Sequence, residues 1–401
     1  METTPEIPPA RRNVFANRNF RLFFFGQLIS NTGNWLQLAA HITLVEQLSG
    51  SSLLVGVTNA ALFLPVLFLA LPGGRLADRF DRRKVLIGTQ LLALVATGTL
   101  AVMAALDLVS VPAVIVVSAI VGVQYALSIP TMLALLPALV EPDELGMAIG
   151  LNSVTYSAAR ILGPALAAAL ITQIGYAAAF GLNSLSFVAL ILAVRAMRPR
   201  RQVVEEGGSI REALAFAWND KRIRLLLLGV TTVFVAMDPL LTLGPALLRP
   251  FGAEELAPWL LAAFGVGAIS AAAGATKGFR THGSARYGAL APWSIVYAAG
   301  IAGLAFAPGV ALAAAAALVA GAGFLVTSTN WTAGLQEETP EPMLGRVMAI
   351  WTLCTLGSRP FASVIDGWMG DALGPRPAAL VMIVPLVLVG VLAAPRLVRK
   401  S

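Results

Sequence analysis

Charge is scarce in this chain. Of its 401 residues only 12% are Asp, Glu, Lys or Arg, where a soluble domain carries about a quarter. A soluble helical protein of this length needs charged outer faces on its helices, and the long apolar runs offer none. Cysteine is nearly absent: Cys354 stands alone, which excludes an intrachain disulfide and a thiolate metal site. Two histidines exclude a His cluster. No G-x-x-x-x-G-K-[ST] loop occurs, which disfavours ATP-driven work within the chain, and no enzyme constellation stands out. No metal or cofactor is expected. Met1–Asn19 is polar, proline-bearing and basic, without the apolar centre of a cleavable signal, so the first apolar run is expected to stay as a membrane anchor.

What is abundant is apolar sequence: 57% hydrophobic residues and a mean hydropathy of +0.79. A helix needs about twenty apolar residues to cross the hydrocarbon core. Six such spans are expected at Phe20–Val45, Ser52–Gly74, Val85–Leu106, Val111–Leu133, Met147–Thr172 and Tyr176–Met197. Six more follow at Ile223–Leu247, Ala257–Thr276, Tyr287–Phe306, Val310–Thr332, Arg346–Gly370 and Ala378–Ala394. The fold predicted is all-α and integral to the membrane, with twelve spans in two pseudo-symmetric six-helix bundles. Their expected limits are residues 1–197 and 223–401, joined by a polar linker, 198–222, with an amphipathic surface helix at Ile210–Trp218.

The net charge of +7 invites a nucleic-acid reading until its placement is considered. Basic residues crowd into alternate connections, as around Arg18 and Arg21, Arg75 to Lys84, and Arg195 to Arg224. The intervening connections hold almost none, with Arg249 and Arg376 the exceptions. This is the positive-inside pattern of a multi-pass protein with both termini cytoplasmic, not a nucleic-acid footprint.

The two halves read as repeats. At an offset of 199, Leu145, Gly146, Arg160 and Gly175 fall on Leu344, Gly345, Arg359 and Gly374; at 203, Arg21, Leu22 and Gly26 fall on Arg224, Leu225 and Gly229. With the central linker these matches support a six-plus-six duplication.

After the second span comes Gly73-Gly74-Arg75-Leu76-Ala77-Asp78-Arg79-Phe80-Asp81-Arg82-Arg83-Lys84. This loop resembles the G-x-x-x-D-R-x-G-R-R/K signature of the major facilitator superfamily. Gly74, Asp78, Arg79, Arg82 and Arg83 match, and Asp81 replaces the usual glycine. That replacement, Asn17 to Arg21 entering the first span, and Leu344 to Ala349 entering the eleventh are similar to the branch of enterobactin exporters and secretion effectors. The resemblance covers most of the chain and implies a bacterial inner-membrane transporter working by alternating access, by default as a monomer. It implies that Gly74, Asp78, Arg79, Arg82 and Arg83, with Arg346, form a latch between the halves; the plainer reading is that these charges only orient the helices. Gly163-Pro164 resembles the exporters' antiporter motif, with Ala167 and Ala168 where a glycine pair is usual, so export is favoured over import mostly on resemblance.

A charge at mid-bilayer is expensive and faces protein or water. Arg160, Asp238 and Arg359 lie near span centres. The two arginines either flank a cavity, offering planar donors to an anionic or oxygen-rich substrate, or are neutralised structurally by buried acids or carbonyls. Asp238, followed by Pro239, is the first candidate for a proton-carrying group, with Glu46, His41 and Asp366 behind it; His41 reads equally as a packing residue held by hydrogen bonds. In the first span Gln27, Asn31 and Asn34 share one face at helical spacing and are candidate cavity lining. Tyr125, Tyr156 and Trp331 could add aromatic faces, although each alone fits a helix–helix contact. The expected function is proton-coupled export of an amphiphilic small molecule, a siderophore, other secondary metabolite or drug. Proton-coupled uptake and a non-transporting sensor are the alternatives. The partners expected are substrate, protons and membrane lipids.

Overall fold

A computed structural model describes residues 14–198, 210–275 and 284–398, apart from the side chains of 70–79, 210, 211, 213, 274, 275, 284 and 285. Every regular element among them is helical. The first group is α1 (Arg18–Ser49), α2 (Ser52–Arg79), α3 (Arg82–Ala105), α4 (Val111–Leu135), α5 (Leu145–Gln173) and α6 (Tyr176–Ala196). A short surface helix, α7 (Ile210–Asn219), precedes α8 (Lys221–Val235), a π-turn at Pro239–Leu243 and α9 (Gly244–Leu248). Then come α10 (Ala257–Ala275), α11 (Ser284–Phe306), α12 (Val310–Glu338), α13 (Glu341–Leu356), α14 (Arg359–Leu373) and α15 (Pro375–Val398).

Among the described residues, ten helices are long and apolar enough to cross a membrane. Two further crossings fail that test for physical reasons. Helix α1 has the length but carries the polar stripe, and the α13–α14 pair is one path cut in two at Gly357–Ser358. The architecture is consistent with twelve crossings. Both spans expected as single helices at Ile223–Leu247 and Arg346–Gly370 are interrupted. Pro239 lacks an N–H and its ring crowds the preceding turn, and the backbone widens into a π-turn there. Pro360 sits in the first turn of α14, where the missing donor costs nothing.

The signature segment is also less of a loop than expected. Helix α2 runs on to Arg79, and only Phe80 and Asp81 link it to α3. Asp81, the residue replacing glycine, caps α3: its side chain accepts from the Arg83 N–H at 2.8 Å. The side chains of Asp78 and Arg79, and any contact made by Gly74, lie outside the described residues, so the latch is not visible at its centre. Arg82 donates to the Ala134 carbonyl at 2.7 Å, and Arg83 to those of Val194 and Arg195 at 3.2 and 2.7 Å. These bonds stay within the first helix group. Arg346 pairs at 2.7 Å with Glu212 of α7, joining the linker helix to the second group.

The proposed duplication has a backbone counterpart. Gly175 and Gly374, matched at the 199 offset, follow α5 and α14 and both take positive φ, +106° and +95°. Few residues other than glycine adopt that region.

The two groups meet along α2 against α14 and α5 against α10. Close approach is bought with glycine: a Cβ on Gly56 would collide with the Ser363 carbonyl, and one on Gly367 with that of Ser52. Cross-group polar contacts gather at the face opposite the chain ends. There Glu46 at the end of α1 pairs with Arg249, which also donates to the Gly50 carbonyl at 2.8 Å. Asp371 caps α2 from the other group, accepting from Ser52 N–H at 2.7 Å, Leu53 N–H at 3.3 Å and Ser51 Oγ at 2.6 Å. Gln47 bonds Glu255 at 3.2 Å. On the face carrying the chain ends, the ion pairs among the described residues stay within one group and its linker, as Arg222–Glu338 and Arg346–Glu212 do. The molecule is pinned shut on one face.

Candidate functional site

The centre of the molecule is built by the two interrupted paths. Asp238 sits where α8 gives way to the π-turn, and Arg359 opens α14. Their breaks bring the two charges together: Arg359 Nε lies 3.9 Å from Asp238 Oδ1, with side chains 5% and 2% exposed. At that distance the pair is electrostatic rather than hydrogen-bonded. Asp238 Oδ2 and Arg359 Nε and Nη2 are buried without a hydrogen-bond partner among the described residues. Asp366, two turns along α14, is fully buried with both oxygens unpartnered and is within electrostatic reach of Asp238. Unsatisfied buried charge of this density is costly as pure scaffolding, because each group forfeits its hydration.

Both repeat-related arginines lie against aromatic faces. Arg359 Cζ is 4.7 Å from the ring centre of Phe63 on α2, across the group boundary. Arg160 Cζ is 5.4 Å from Trp35 on α1 and 5.5 Å from Phe324 on α12, again bridging the groups. Such stacking stabilises a cation while leaving in-plane N–H donors available. Arg160 has no acid paired with it among the described ion pairs, and its Nε is unpartnered. Of the two arginines matched by the 199 offset, only Arg359 has an acid paired with it among the described ion pairs.

The polar stripe of α1 faces inward. Gln27, Asn31 and Asn34 are buried; Asn31 bonds Thr155 Oγ1 at 3.3 Å, while Gln27 Nε2 and Asn34 Oδ1 have no described partner. Tyr156 lies beside Gln27 and neighbours Tyr125. Tyr125 also lines a cleft of about 330 Å³ between α4 and α13, walled by Pro130, Met348 and Thr352. Trp331 is fully buried, with its ring on Gly229, so its surroundings are those of a packing residue. Gly163 packs against Trp35 and Leu36 of α1, and Pro164 follows it inside an unbroken α5.

The four acid–base candidates separate. Asp238 and Asp366 share the centre. Glu46 belongs to the closed face, paired with Arg249. His41 sits in a network within the first group, its ring nitrogens 3.1 Å from Gln37 Nε2 and 2.9 Å from Ser118 Oγ. Gln37 Oε1 in turn accepts from Thr97 at 3.0 Å and from Asn183.

Asp371, Arg249, Phe63 and Phe324 were not singled out by sequence. Arg249 stood out only as a rare cation between α9 and α10, and Asp371 could have been found as an acid just beyond an apolar span. Nothing local marks Phe63 or Phe324, because apolar spans are full of such residues.

The family description of transmembrane secretion effectors, a branch of the major facilitator transporters, matches residues 11–400. This chain belongs to that family. Among its relatives, an uncharacterized major-facilitator-type transporter, YfiS of Bacillus subtilis, is 28% identical over 62% of this chain and 61% of the relative's length. The multidrug efflux pump Tap of Mycolicibacterium fortuitum is 24% identical over 94% of this chain and 95% of its own. The enterobactin exporter EntS of Citrobacter koseri is 29% identical over 96% and 91%. In structure the chain is similar to a bacterial homologue of the lysosomal transporter Spinster, captured inward-facing and unoccupied. The TM-score is 0.76 at 14% identity, covering 95% of this chain and 98% of that one, which speaks to fold alone. The family member described here is thus a multi-pass membrane transporter with efflux proteins among its relatives.

Proposed function

We propose that this transporter exports an amphiphilic small molecule from the cytoplasm in exchange for protons, by alternating access across a bacterial cytoplasmic membrane with both termini inside. The observation that carries the reading is the buried Asp238–Arg359 pair at the meeting of two interrupted helices, with unpartnered Asp366 beside it. A carboxylate held by an arginine at mid-membrane can exchange that partner for a proton, and the two states bias the packing of α8 and α14 differently. Substrate would lie between Arg160, Arg359 and the Gln27–Asn31–Asn34 stripe, where donors and aromatic faces suit an oxygen-rich, partly apolar molecule. The efflux relatives favour export, and their two named activities set the first compounds to try.

The test is accumulation of ethidium and of a catechol-type siderophore in everted membrane vesicles under an imposed pH gradient. Gradient-dependent accumulation that is lost in Asp238→Asn is expected. Equal accumulation with the gradient collapsed would remove the proton. Accumulation only in right-side-out vesicles would reverse the direction.

A further inference from the structure

Away from the centre, α1 and α6 part on the membrane-facing side to leave a groove of about 610 Å³. On α1 the lining residues Arg18, Arg21, Leu22, Phe25 and Ile29 follow helical spacing, so they form a single stripe with both cations at one end. On α6 the facing stripe is Ala189, Leu192, Ala193 and Ala196, whose small side chains make the trough. Phe25, Ile29 and Leu192 are about half exposed at its edges. From Arg18 to Ile29 the rise is about 16 Å at 1.5 Å per residue. That matches one leaflet, half of a hydrocarbon core about 30 Å thick.

The charged mouth is fixed in place. Arg18 Nη1 donates to the Ala196 carbonyl at 2.9 Å, and Asn19 and Arg198 exchange two 3.0 Å bonds across the same gap. One of the five N–H donors of Arg18 is used in this clasp. No acidic residue lines the groove, and neither Arg18 nor Arg21 has an acidic partner among the described residues. Two guanidinium groups with no acid paired to them among the described residues, above a leaflet-deep apolar trough, complement a negatively charged headgroup with an acyl chain beneath it.

We propose that this groove is a binding site for one anionic phospholipid. The phosphate lies between Arg18 and Arg21, and one acyl chain lies along Phe25 and Ile29 against the alanines of α6. The site is separate from the central cavity and does not depend on what the transporter carries.

The measurement is lipid binding to the purified protein by native mass spectrometry, comparing phosphatidylglycerol with phosphatidylcholine of identical chains. With each cation contributing as juxtamembrane cations do, the expected preference for phosphatidylglycerol is roughly 30-fold. The preference should fall to a few-fold or less in R18Q/R21Q and persist in R18K/R21K. Ala189→Trp, which fills the trough, should weaken both lipids alike while keeping their ratio. A control, K221Q/R224Q, removes two cations outside the groove and should leave the ratio as in the parent protein. An unchanged ratio in R18Q/R21Q, an equal loss in the control, or no effect of Ala189→Trp would each overturn the assignment.

Discussion

The Asp238–Arg359 pair makes a quantitative claim that can be tested without knowing the substrate. At 3.9 Å and an effective dielectric of about 20, their attraction is about 4 kcal/mol. That attraction does not translate into net stability, because both side chains have left water, and a buried pair of this kind is often no better than an apolar replacement. Removing one member is different: it strands the other as an uncompensated buried charge, at a cost of about 3–5 kcal/mol. Arg359→Met should therefore destabilise the purified protein by that amount, and Asp238→Asn by somewhat less because Phe63 still faces the cation. The double variant should be more stable than Arg359→Met alone and lie within about 1–2 kcal/mol of the parent protein. The assay is unfolding in mixed micelles with increasing dodecyl sulfate, read as a double-mutant cycle. With single costs of about 4 and 3 kcal/mol and a double cost of about 1–2, a coupling of about 5–6 kcal/mol is the expected result. Additive single effects would show that the two charges do not sense one another, and the reading of the centre as a linked pair would fall with them.

Two further outcomes concern the closed face and the seam between the groups. Asp371→Ala removes the cap on α2, worth about 1 kcal/mol, and should raise maleimide labelling of Asn59→Cys from the side opposite the chain ends, in a Cys354→Ser background; unchanged labelling would mean the cap does not help hold that face shut. Gly56→Val drives a side chain into the Ser363 carbonyl, so it should cost about 1–3 kcal/mol in the same micelle assay, whereas Gly88→Val, where a Cβ meets open space, should cost little by comparison.

Much of the fold was legible because the bilayer imposes a one-dimensional rule on sequence. Starts such as Ser52, Val111, Tyr176 and Val310 coincide with the helices observed, since each follows a turn or polar break at a fixed apolar length. Ends were read less well. Helix α12 continues to Glu338, because α-helical hydrogen bonding does not stop where the apolar run does, and its final turn holds Glu338 against Arg222 at 2.8 Å. Helix α2 continues through the signature for the same reason, and Asp81 rather than a glycine ends the connection by capping α3.

The site was legible by residue type but not by partnership. Cost alone picked out Arg160, Asp238 and Arg359, since charge in an apolar run demands a reason; Asp366 stood only as a secondary proton candidate. Which of them meet is decided by the interruptions at Pro239 and at Gly357–Ser358, and hydropathy averaged over a whole span does not register such local breaks. The repeat offset set Arg160 and Arg359 as equals. In the fold they are equal in stacking on aromatic rings across the group boundary and unequal in charge balance, for only Arg359 has Asp238. In the proposed reading, symmetry in the chain marks the substrate region, and the departure from symmetry marks the group proposed to exchange a proton. Under the proposed export reading, Arg160, which has no acid paired with it among the described ion pairs, is the cation that an anionic moiety of a substrate would meet.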